Sequence, residues 1–488
     1  MDNTTSNPEP LKSGHSLVKK IKISWFCNCN ALFKKPRLVS PVSESREQDK
    51  SKSYPIVEQP SKHLYEEDVA NYYCEALTLY KRNVGEDLSV TLRVPLLLGA
   101  FVGLIPIQGI RQNGNQSFSW LHYRTLISTA VVGVLLMNTV FIAHNFILKV
   151  ASGKNHAGEM ILTFSGVWFY SAGTLVYIFF LLRSKRLCEY FKFWTETSIA
   201  VSSCMIPERR VRKDVKLITT FVLLDCLGEN ILYHFHAMKL EQREKMSALS
   251  FSDFLRDYYD SNQYIFPFFS YNAIVSLALL VTNKLATYAW NFGDIILILI
   301  SRALYGRYLC LNTFLEQQYE PHGCILLIKK GSVSWRSIRK NFLRLTELLE
   351  EANGIFSPLV WLSYTTDIFF VCRQLYEGLA SKSTAGKAVD KIYMVWSLIH
   401  LIVRTLGVNL MAAKINEEAH RMSKVLQHCH PDEYDEEVRR LERFLGSRMI
   451  GITGSGCFII TKSFVFMIIS AIFTLEVVLL QNGHLTLG

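Results

Sequence analysis

The 488-residue sequence lacks the motifs that carry most enzyme chemistry. It contains no nucleophile elbow, no phosphate-binding loop and no HExxH zinc motif. It also lacks paired CxxC motifs: its 11 cysteines are an odd number, and Cys27 and Cys29 have no further ligands at zinc-site spacing. These absences argue against an enzyme and against a bound metal or other cofactor.

Charged residues are scarce, at 19% of the chain, whereas hydrophobic residues make up 49%. The mean hydropathy of +0.16 is too high for a soluble enzyme with ordinary surfaces. The formal charge of +11 does not indicate a nucleic-acid partner, because the basic residues cluster beside apolar blocks. That pattern keeps membrane-protein loops in the cytosol. The composition therefore predicts an all-α polytopic membrane protein surrounded by lipid.

The chain opens with the polar stretch MDNTTSNPEP rather than with the apolar core of a signal peptide. Residues 1–60 are rich in Ser, Lys, Pro and Glu, a composition that does not form a packed core. We therefore expect a largely disordered cytoplasmic tail over residues 1–84 and a seven-helix membrane domain over residues 85–488.

The membrane domain contains a series of hydrophobic blocks. They lie near residues 94–107, 125–148, 161–182, 215–235, 265–301, 355–376, 392–413 and 457–481. The first block, VPLLLGAFVGLIPI, is too short for a span and contains two prolines and two glycines. We interpret it as a re-entrant N-terminal helix, which leaves seven transmembrane helices.

Basic residues set the orientation of these seven spans. With the N-terminus inside, the loop 183–216 is cytoplasmic, and it carries RSKR at one end and RRVRKDVK at the other. The loops 302–354 and 414–452 are also inside and also basic, as the positive-inside rule requires. The prediction is an inverted topology, with the N-terminus cytoplasmic and the C-terminus extracellular.

Two cytoplasmic stretches have the apolar spacing of amphipathic helices. The first covers about residues 334–353, and the second covers about 430–450. Their apolar stripes are Trp335, Ile338, Phe342, Leu345 and Leu349, and Val438, Leu441 and Leu445. We interpret them either as solvated helices that cover their own core or as anchor helices that bind neighbouring subunits.

The third span places polar residues where lipid would penalise them. Asp225, Glu229, Tyr233 and His236 are spaced four, four and three apart, which is one stripe of a helix, and Asn230 flanks that stripe. Other spans carry polar and aromatic residues at the same predicted outer level. They are Trp168, Tyr271, Tyr364, Asp367, Gln374, Trp396 and His400.

Ionisable groups inside a membrane usually face a cavity or a partner. A wet pocket of carboxylates, amides and aromatic faces suits a sugar or another polyol, whose hydroxyls need many fixed donors and acceptors. Two alternatives stay open. The aromatic residues can form an interfacial belt without any ligand, and Asp225 and Glu229 can pair structurally with His234, His236 or Arg404.

Three stretches resemble the insect gustatory receptor family, in its sugar (sweet taste) receptor branch. They are LRVPLLLGAFVGLIPIQGI, the stretch GCILLIKKGSVSWRSIRKNFLRLTELLEEANGIFSPLVWLS before the fifth span, and TLEVVLLQN in the last span. In the last stretch, Thr474, Glu476 and Gln481 match the family signature. Leu475 stands where Tyr is usual, and Asn482 where Phe is usual.

The resemblance implies a sugar-gated cation channel at the plasma membrane. It implies a homo- or hetero-tetramer with other gustatory receptors, conducting monovalent and calcium cations through a pore helix at about 455–482. By position, Thr474, Val478, Gln481 and Asn482 would then line the pore or its gate. Glu229 falls where sugar receptors often have a Glu-His pair, but here Asn230 replaces the His.

Other classes of protein remain as alternatives. A subunit of a heteromeric taste receptor for another polyol or for a bitter compound fits the same features. A G-protein-coupled receptor would have its N-terminus outside and DRY or NPxxY motifs, which this sequence lacks. A proton-coupled transporter could use Asp225, Glu229 and His236 as a relay, but no internal repeat indicates one.

Overall fold

The structure is a computed structural model. It describes residues 87–112, 115–153, 157–205, 211–237, 250–262, 270–322, 325–328, 334–380 and 388–485. The predicted tail over residues 1–84 lies outside this described part, so its disorder stays a prediction.

The described residues form eleven α-helices and two small antiparallel hairpins. The helices are α1 (Leu88–Thr91), α2 (Arg93–Phe101), α3 (Tyr123–Ser152), α4 (Ala157–Val201), α5 (Val211–Ala237), α6 (Phe251–Ser261), α7 (Ala273–Gln318), α8 (Trp335–Ala380), α9 (Ala388–Gln427), α10 (Glu436–Ser447) and α11 (Lys462–Leu485). The hairpins pair β1 (Tyr319–His322) with β2 (Ile325–Ile328), and β3 (Thr453–Gly454) with β4 (Phe458–Ile459).

Seven helices are long enough to cross a bilayer, and they correspond to the seven predicted spans. They are α3, α4, α5, α7, α8, α9 and α11, and the shortest has 24 residues, about 36 Å at 1.5 Å per residue. Judged by apolar composition as well as length, four of the described helices qualify as spans: α3, α4, α8 and α9. Helices α5 and α7 carry acidic, basic and amide residues inside their length.

Helix α7 is the centre of the bundle. Every side chain from Ile295 to Ile300 is buried, so this stretch faces protein on all sides. It packs against α4, α5, α8 and α9, while α3 lies against α4. A continuous apolar run of this kind is typical of a helix surrounded by other helices.

The first hydrophobic block does not span. Helix α2 has nine residues and ends at Phe101, after which Leu104, Ile105 and Ile107 continue as a fully buried irregular segment. The Tyr177 hydroxyl on α4 donates a hydrogen bond to the Val102 carbonyl at 3.0 Å. The block therefore packs onto the bundle, and it is too short to cross a membrane.

The first amphipathic stretch is not a separate helix, because α8 runs without interruption from Trp335 to Ala380. The amphipathic stretch and the fifth span are thus one element, with Pro358 inside it. The second stretch is α10, which begins at the Asp435 cap, where the carboxylate accepts from Val438 N at 2.9 Å. Both apolar stripes are buried, as their spacing predicts.

The last helix begins at Lys462, whereas we predicted a start near residue 455. The intervening residues form the β3–β4 hairpin, whose turn has Ser455 at φ 49° and Gly456 at φ 71°. Ser455 and Gly456 are the central residues of a four-residue turn that the Cys457 N to Gly454 carbonyl hydrogen bond closes, and their positive φ interrupts a helix. Thr461 then caps α11 by accepting from Phe464 N at 3.1 Å.

The structure contains one helix, α6, that was not predicted from the sequence. Helix α6 lies between the predicted spans at 215–235 and 265–301, where no helix was predicted, and it packs on α7. Its signal was available: Leu255, Tyr258 and Tyr259 share one face and are buried, and Ser250 precedes the helix at the N-cap position.

Candidate functional site

The polar residues of four helices meet at one level of the bundle. Helix α9 packs against both α5 and α7, and α8 packs against α7 and α9. We call this group the polar layer. Its members are Asp225, Glu229 and Asn230 on α5, Lys284 on α7, Gln374 on α8, and Ser397 and His400 on α9.

Asp225 pairs with His400. The Asp225 carboxylate lies 2.5 Å from His400 Nδ1, and the imidazole is almost fully buried while the carboxylate is partly open. The pair joins α5 to α9. The alternative that Asp225 pairs structurally named His234, His236 or Arg404, whereas the partner found here is His400. The side chain of His236 lies outside the described residues.

A hydrogen-bonded chain connects α8, α9 and α5. Gln374 Nε2 donates to Ser397 Oγ at 2.6 Å, and Ser397 Oγ donates to Glu229 Oε1 at 3.4 Å. Among the described residues, this long contact is the only hydrogen bond to the Glu229 carboxylate. Gln374 Oε1 is buried and has no partner in the described part of the chain. The series of hydrogen bonds from Gln374 to Glu229 therefore has, at both ends, oxygen atoms that can accept further hydrogen bonds.

Lys284 brings an ammonium into the same layer. Its Nζ donates to Asn230 Oδ1 at 2.8 Å and lies 5.8 Å from the centroid of the Tyr233 ring. An ammonium has three donors, and the amide of Asn230 uses one of them. Within the described helices, Lys284 makes no ion pair with Glu229, so both groups keep a capacity for further hydrogen bonds.

Arg404 forms a second, separate polar cluster with α7 and α8. Its Nη2 donates to Asp367 Oδ1 at 2.8 Å, its Nη1 donates to Asn291 Oδ1 at 2.5 Å, and its Nε lies 2.7 Å from Asp294 Oδ2. Its guanidinium carbon stands 3.9 Å from the centroid of the Trp290 ring. We call this the arginine cluster.

The carboxylates of the arginine cluster are also bonded by hydroxyls. Ser363 donates to Asp294 Oδ1 at 2.6 Å, and Thr405 donates to Asp367 Oδ2 at 3.0 Å. The side chains of Arg404, Asp294 and Asp367 are at most 2% exposed. The structure therefore surrounds Asp367, a predicted ligand-binding residue, with protein partners rather than with open space.

The predicted aromatic residues fall into different surroundings. Trp396 lies against Gly228 on α5 and is 43% exposed, beside the polar layer. Trp168 makes tilted ring contacts with Phe164 and Phe369. Tyr271 contacts α6, where its hydroxyl donates to the Ser252 carbonyl at 3.4 Å. Tyr364 packs on Phe458 and Phe464, at the start of α11.

The structure thus brings together Asp225, Glu229, Asn230, Gln374 and His400 from the predicted set, with Tyr233 and Trp396 at their edge. Sequence reasoning missed Lys284 and Ser397. The signal for Lys284 was a cation in the middle of a span, which a membrane helix retains only with a partner. Ser397 carries no such signal, because serine is common in membrane helices.

The last helix contains Thr474, Val478, Gln481 and Asn482, as predicted. Thr474 is exposed, and its hydroxyl donates to the Ser470 carbonyl of the same helix at 2.8 Å. The side chains of the other three lie outside the described residues. The described part of α11 has exposed apolar residues on several sides, including Phe466, Met467 and Phe473.

No cluster of three or more His, Cys, Asp or Glu side chains in the described ranges could hold a metal ion. The polar layer mixes single acids with an amide, a lysine and a histidine, and the arginine cluster is occupied by its own guanidinium. These groups suit hydrogen bonding to a neutral hydroxylated molecule better than metal coordination.

Seven membrane-length helices, four of which share a layer of polar side chains, are the architecture of a polytopic membrane protein. The family model described as "Trehalose receptor" matches residues 80–484, and the chain therefore belongs to this family of insect gustatory receptors.

Curated relatives agree with this assignment. Gustatory receptor for sugar taste 64a of Drosophila melanogaster is 26% identical over 396 residues, which cover 79% of this chain and 82% of that one. Gustatory receptor for sugar taste 61a, from the same species, is 24% identical over 406 residues, covering 80% and 87%. Gustatory receptor 5a for trehalose, also from D. melanogaster, is 24% identical over 279 residues, covering 57% and 60%.

Solved structures show the same fold. The insect olfactory receptor OR5 from Machilis hrabei superposes with a TM-score of 0.56 at 15% sequence identity, covering 84% of this chain and 99% of that chain. Its complex with eugenol gives a TM-score of 0.55. The likeness at this identity concerns the fold, and it confirms the seven-helix membrane architecture predicted from the sequence.

Proposed function

We propose that this receptor is a sugar-gated, non-selective cation channel whose ligand binds at the polar layer. Membership of the gustatory receptor family supports the receptor role, and the relatives are receptors rather than enzymes. The observation that carries the ligand site is the unused hydrogen-bonding capacity of the polar layer, inside helices that lipid would otherwise surround.

The polar layer offers acceptors and donors at the same level. Glu229 has a carboxylate with one long contact, Gln374 has an unpartnered amide oxygen, and Lys284 has free N–H groups. A polyol supplies hydroxyls that both donate and accept, so it can satisfy all three groups at once. An analogue without the matching hydroxyl leaves a buried polar group unpaired, which gives discrimination.

Trp396 gives the site an aromatic surface. It is partly exposed and lies over Gly228, one residue before Glu229 on α5. The apolar face of a sugar ring can stack on such an indole while the ring hydroxyls reach Glu229 and Gln374. Tyr233 lies next to Lys284, and its ring centroid is 6.1 Å from that of Tyr393.

The other predicted site residues receive indirect roles in this proposal. Asp225 and His400 hydrogen-bond to each other and hold α5 to α9, and Asp367 holds Arg404. Trp168 packs against Phe369, and Tyr271 hydrogen-bonds to α6. Tyr364 packs on Phe458, just before α11. Direct ligand contact is proposed for Glu229, Asn230, Lys284, Gln374 and Trp396.

The proposed pore belongs to α11. In a single chain this helix packs on α8 and α9, and it leaves Phe466 and Phe473 about 70% exposed. We propose that α11 helices of neighbouring subunits surround a central path for monovalent and calcium cations, in a homo- or hetero-tetramer with other gustatory receptors. The family signature supports Thr474, Val478, Gln481 and Asn482 as pore or gate positions.

The proposed setting is the plasma membrane, with the N-terminus cytoplasmic and the C-terminus extracellular. The two basic stretches that flank the 183–216 loop support this orientation, because cytoplasmic loops of membrane proteins carry an excess of Lys and Arg. The polar layer then lies in the outer half of the bundle, where a sugar can reach it from outside.

The test is whole-cell current from cells that express this chain, with G-protein signalling blocked. The panel contains mono- and disaccharides including trehalose, inositol and bitter compounds, and sibling gustatory receptors are co-expressed in a second arm. A fast, sugar-dependent cation current in either arm supports the proposal, and the arms separate a homomer from a heteromer. Currents evoked by bitter compounds alone, or silence in both arms despite surface expression, would contradict it.

A further inference from the structure

Helix α8 has a weak point in its middle. Pro358 has no N–H group, so the Gly354 carbonyl loses the hydrogen bond that residue 358 would otherwise donate. Arg186 of α4 approaches this carbonyl instead, with Nη1 at 3.4 Å, while its Nη2 pairs with Glu351 at 2.8 Å. The residues 354–358 therefore form a joint between the two halves of α8.

The β3–β4 hairpin attaches to α8 at this joint. Asn353 Nδ2 donates to the Gly451 carbonyl at 2.9 Å, and Asn353 Oδ1 accepts from Thr453 N at 3.1 Å. One turn further along, the Ser357 carbonyl accepts from Ser455 N at 3.2 Å. The amide of Asn353 thus bonds two backbone groups of the segment that enters the hairpin, the Gly451 carbonyl and Thr453 N. These two hydrogen bonds fix the position of that segment.

Helix α9 holds the same stretch of backbone. Asn416 Nδ2 donates to the Ile450 carbonyl at 2.8 Å, directly before the residues that Asn353 binds. A Cβ at Gly451 would meet Asn416 and Ile459 at 3.5 and 2.9 Å, so the backbone passes close between them. Both α8 and α9 therefore hydrogen-bond to the backbone that enters the hairpin, and α11 packs on the same two helices.

The hairpin leads directly into α11. Ile460 N donates to the Ile452 carbonyl at 2.9 Å, which closes the hairpin two residues before α11 begins at Lys462. The rings of Phe458 and Phe464 stack at 4.6 Å, so the hairpin and the first turn of α11 share one aromatic contact. The first turn of α11 has little freedom to move unless the hairpin moves with it.

The same helix α8 reaches the polar layer at its other end. Gln374 lies 16 residues beyond Pro358, about 24 Å along the helix axis at 1.5 Å per residue. Tyr364, in the half of α8 beyond Pro358, packs on Phe458 of the hairpin and Phe464 of α11, so a tilt of this half about the joint would act on the hairpin. Helix α8 therefore connects the polar layer, through Gln374, with the segment that leads into α11, through Asn353.

We propose that the α8 joint at Pro358, together with the Asn353 contact on the hairpin, couples occupation of the polar layer to movement of α11. This inference rests on the proposed function, because it presumes a ligand at the layer and a pore at α11. Asn353 acts as a positioning residue: it touches neither the ligand nor the pore, and it holds the segment that connects them.

Two variants of α8 test this coupling. Asn353→Ala removes both side-chain contacts with the hairpin. Pro358→Ala restores an N–H to the helix and stiffens the joint without removing packing. Asn409→Ala is the matched control, because Asn409 is a buried amide on α9 whose Nδ2 bonds the Thr405 carbonyl of its own helix.

The readouts are single-channel open probability at saturating sugar, unitary conductance, and surface abundance. We expect both α8 variants to lower the open probability by up to about tenfold, the scale of one buried hydrogen bond in an equilibrium. We expect unchanged conductance in these variants and a wild-type open probability in Asn409→Ala. Should Asn353→Ala fail to reach the surface, Pro358→Ala carries the test, since alanine is a good helix former.

The outcomes separate the two proposals. Wild-type open probability in Pro358→Ala, or an equal fall in the Asn409→Ala control, overturns the coupling role while leaving the sugar-gated channel intact. Absence of any sugar-gated current from the unmodified receptor, alone and with sibling receptors, overturns the proposed function and the coupling role together. A selective fall in the α8 variants supports both.

Discussion

Two polar groups lie inside the same helical bundle, and they are built differently. In the arginine cluster, Arg404 faces two carboxylates and an amide, and each carboxylate also accepts from a hydroxyl. In the polar layer, Glu229 has one long contact and Lys284 uses one donor. Under our proposal, this difference separates internal bracing from ligand recognition: the arginine cluster has its hydrogen-bond partners within the protein, and the polar layer keeps groups that a ligand can bond.

Location strengthens this contrast. The arginine cluster joins α7, α8 and α9 in the most buried part of the bundle, where an unpaired charge costs most. The polar layer joins α5 to α8 and α9, and α5 is the more exposed helix, with Leu224, Leu227 and Ile231 open at its surface. We propose that the ligand enters at the polar layer because α5 is the less tightly enclosed helix.

The largest effect is expected from Arg404→Leu. It leaves Asp294 and Asp367 buried without their cation, and breaking such a pair typically costs about 3–5 kcal/mol. We expect little or no receptor at the cell surface, measured by surface labelling. Normal surface abundance with altered sugar response would instead move Arg404 into the ligand site and erase the distinction between the two groups.

Glu229→Gln should come next, with the opposite pattern. The charge-assisted acceptor is lost while the shape and the contact with Ser397 are kept, so the half-maximal sugar concentration should rise about tenfold or more. Surface abundance should stay near that of the unmodified receptor. A wild-type dose–response curve would remove Glu229 from the proposed contacts.

Lys284→Met tests a residue that sequence reasoning missed. Methionine keeps the apolar stem and removes the ammonium, which leaves Asn230 Oδ1 without its donor. We expect a rise of about threefold to tenfold in the half-maximal sugar concentration, together with a changed rank order of sugars. Loss of surface protein without a change in rank order would show that Lys284 braces α5 rather than contacting the sugar.

The smallest effect on sugar sensitivity is expected from Gln481→Ala in α11. This position belongs to the proposed pore and lies on a different helix from the polar layer. The half-maximal sugar concentration should stay within about twofold, whereas ion selectivity or rectification should change. Unchanged permeability ratios would contradict a pore-lining role for Gln481.

Much of the architecture was open to prediction from the chain alone. The apolar blocks and the basic loops were sufficient for the seven helices, and the short first block was correctly separated from the spans because nine helical residues cannot cross a bilayer. The buried stripe at Phe342 and Leu345 followed from spacing alone. These features depend on local composition, which one sequence displays directly.

The site was only partly open to prediction, because it depends on which helices become neighbours. The stripe of Asp225 and Glu229 was visible as costly polar residues in a span. Their partners Ser397 and His400 lie on α9, more than 160 residues away in sequence, and no periodicity connects them. For the same reason Tyr364 and Asp367, three residues apart, were grouped together although one meets α11 and the other meets Arg404.

The start of α11 shows a second reason why sequence alone did not predict the structure. The stretch before Lys462 is apolar enough to extend a helix, and the prediction extended it to about residue 455. The pair Ser455 and Gly456 forms a turn with positive φ, and Asn353 and Asn416 bond the backbone that leads into the turn. Tertiary contacts from two distant helices decided between a hairpin and a longer helix.

The central claim is that the sugar binds at the polar layer rather than at the arginine cluster. The most direct measurement is an experimental structure of the assembled receptor with the sugar that evokes the largest current. The account predicts a sugar between α5, α8 and α9, with a hydroxyl at about 2.6–3.2 Å from a Glu229 carboxylate oxygen and the Arg404 pairs intact. A sugar that displaces Asp367 from Arg404, or one bound outside these three helices, would contradict it.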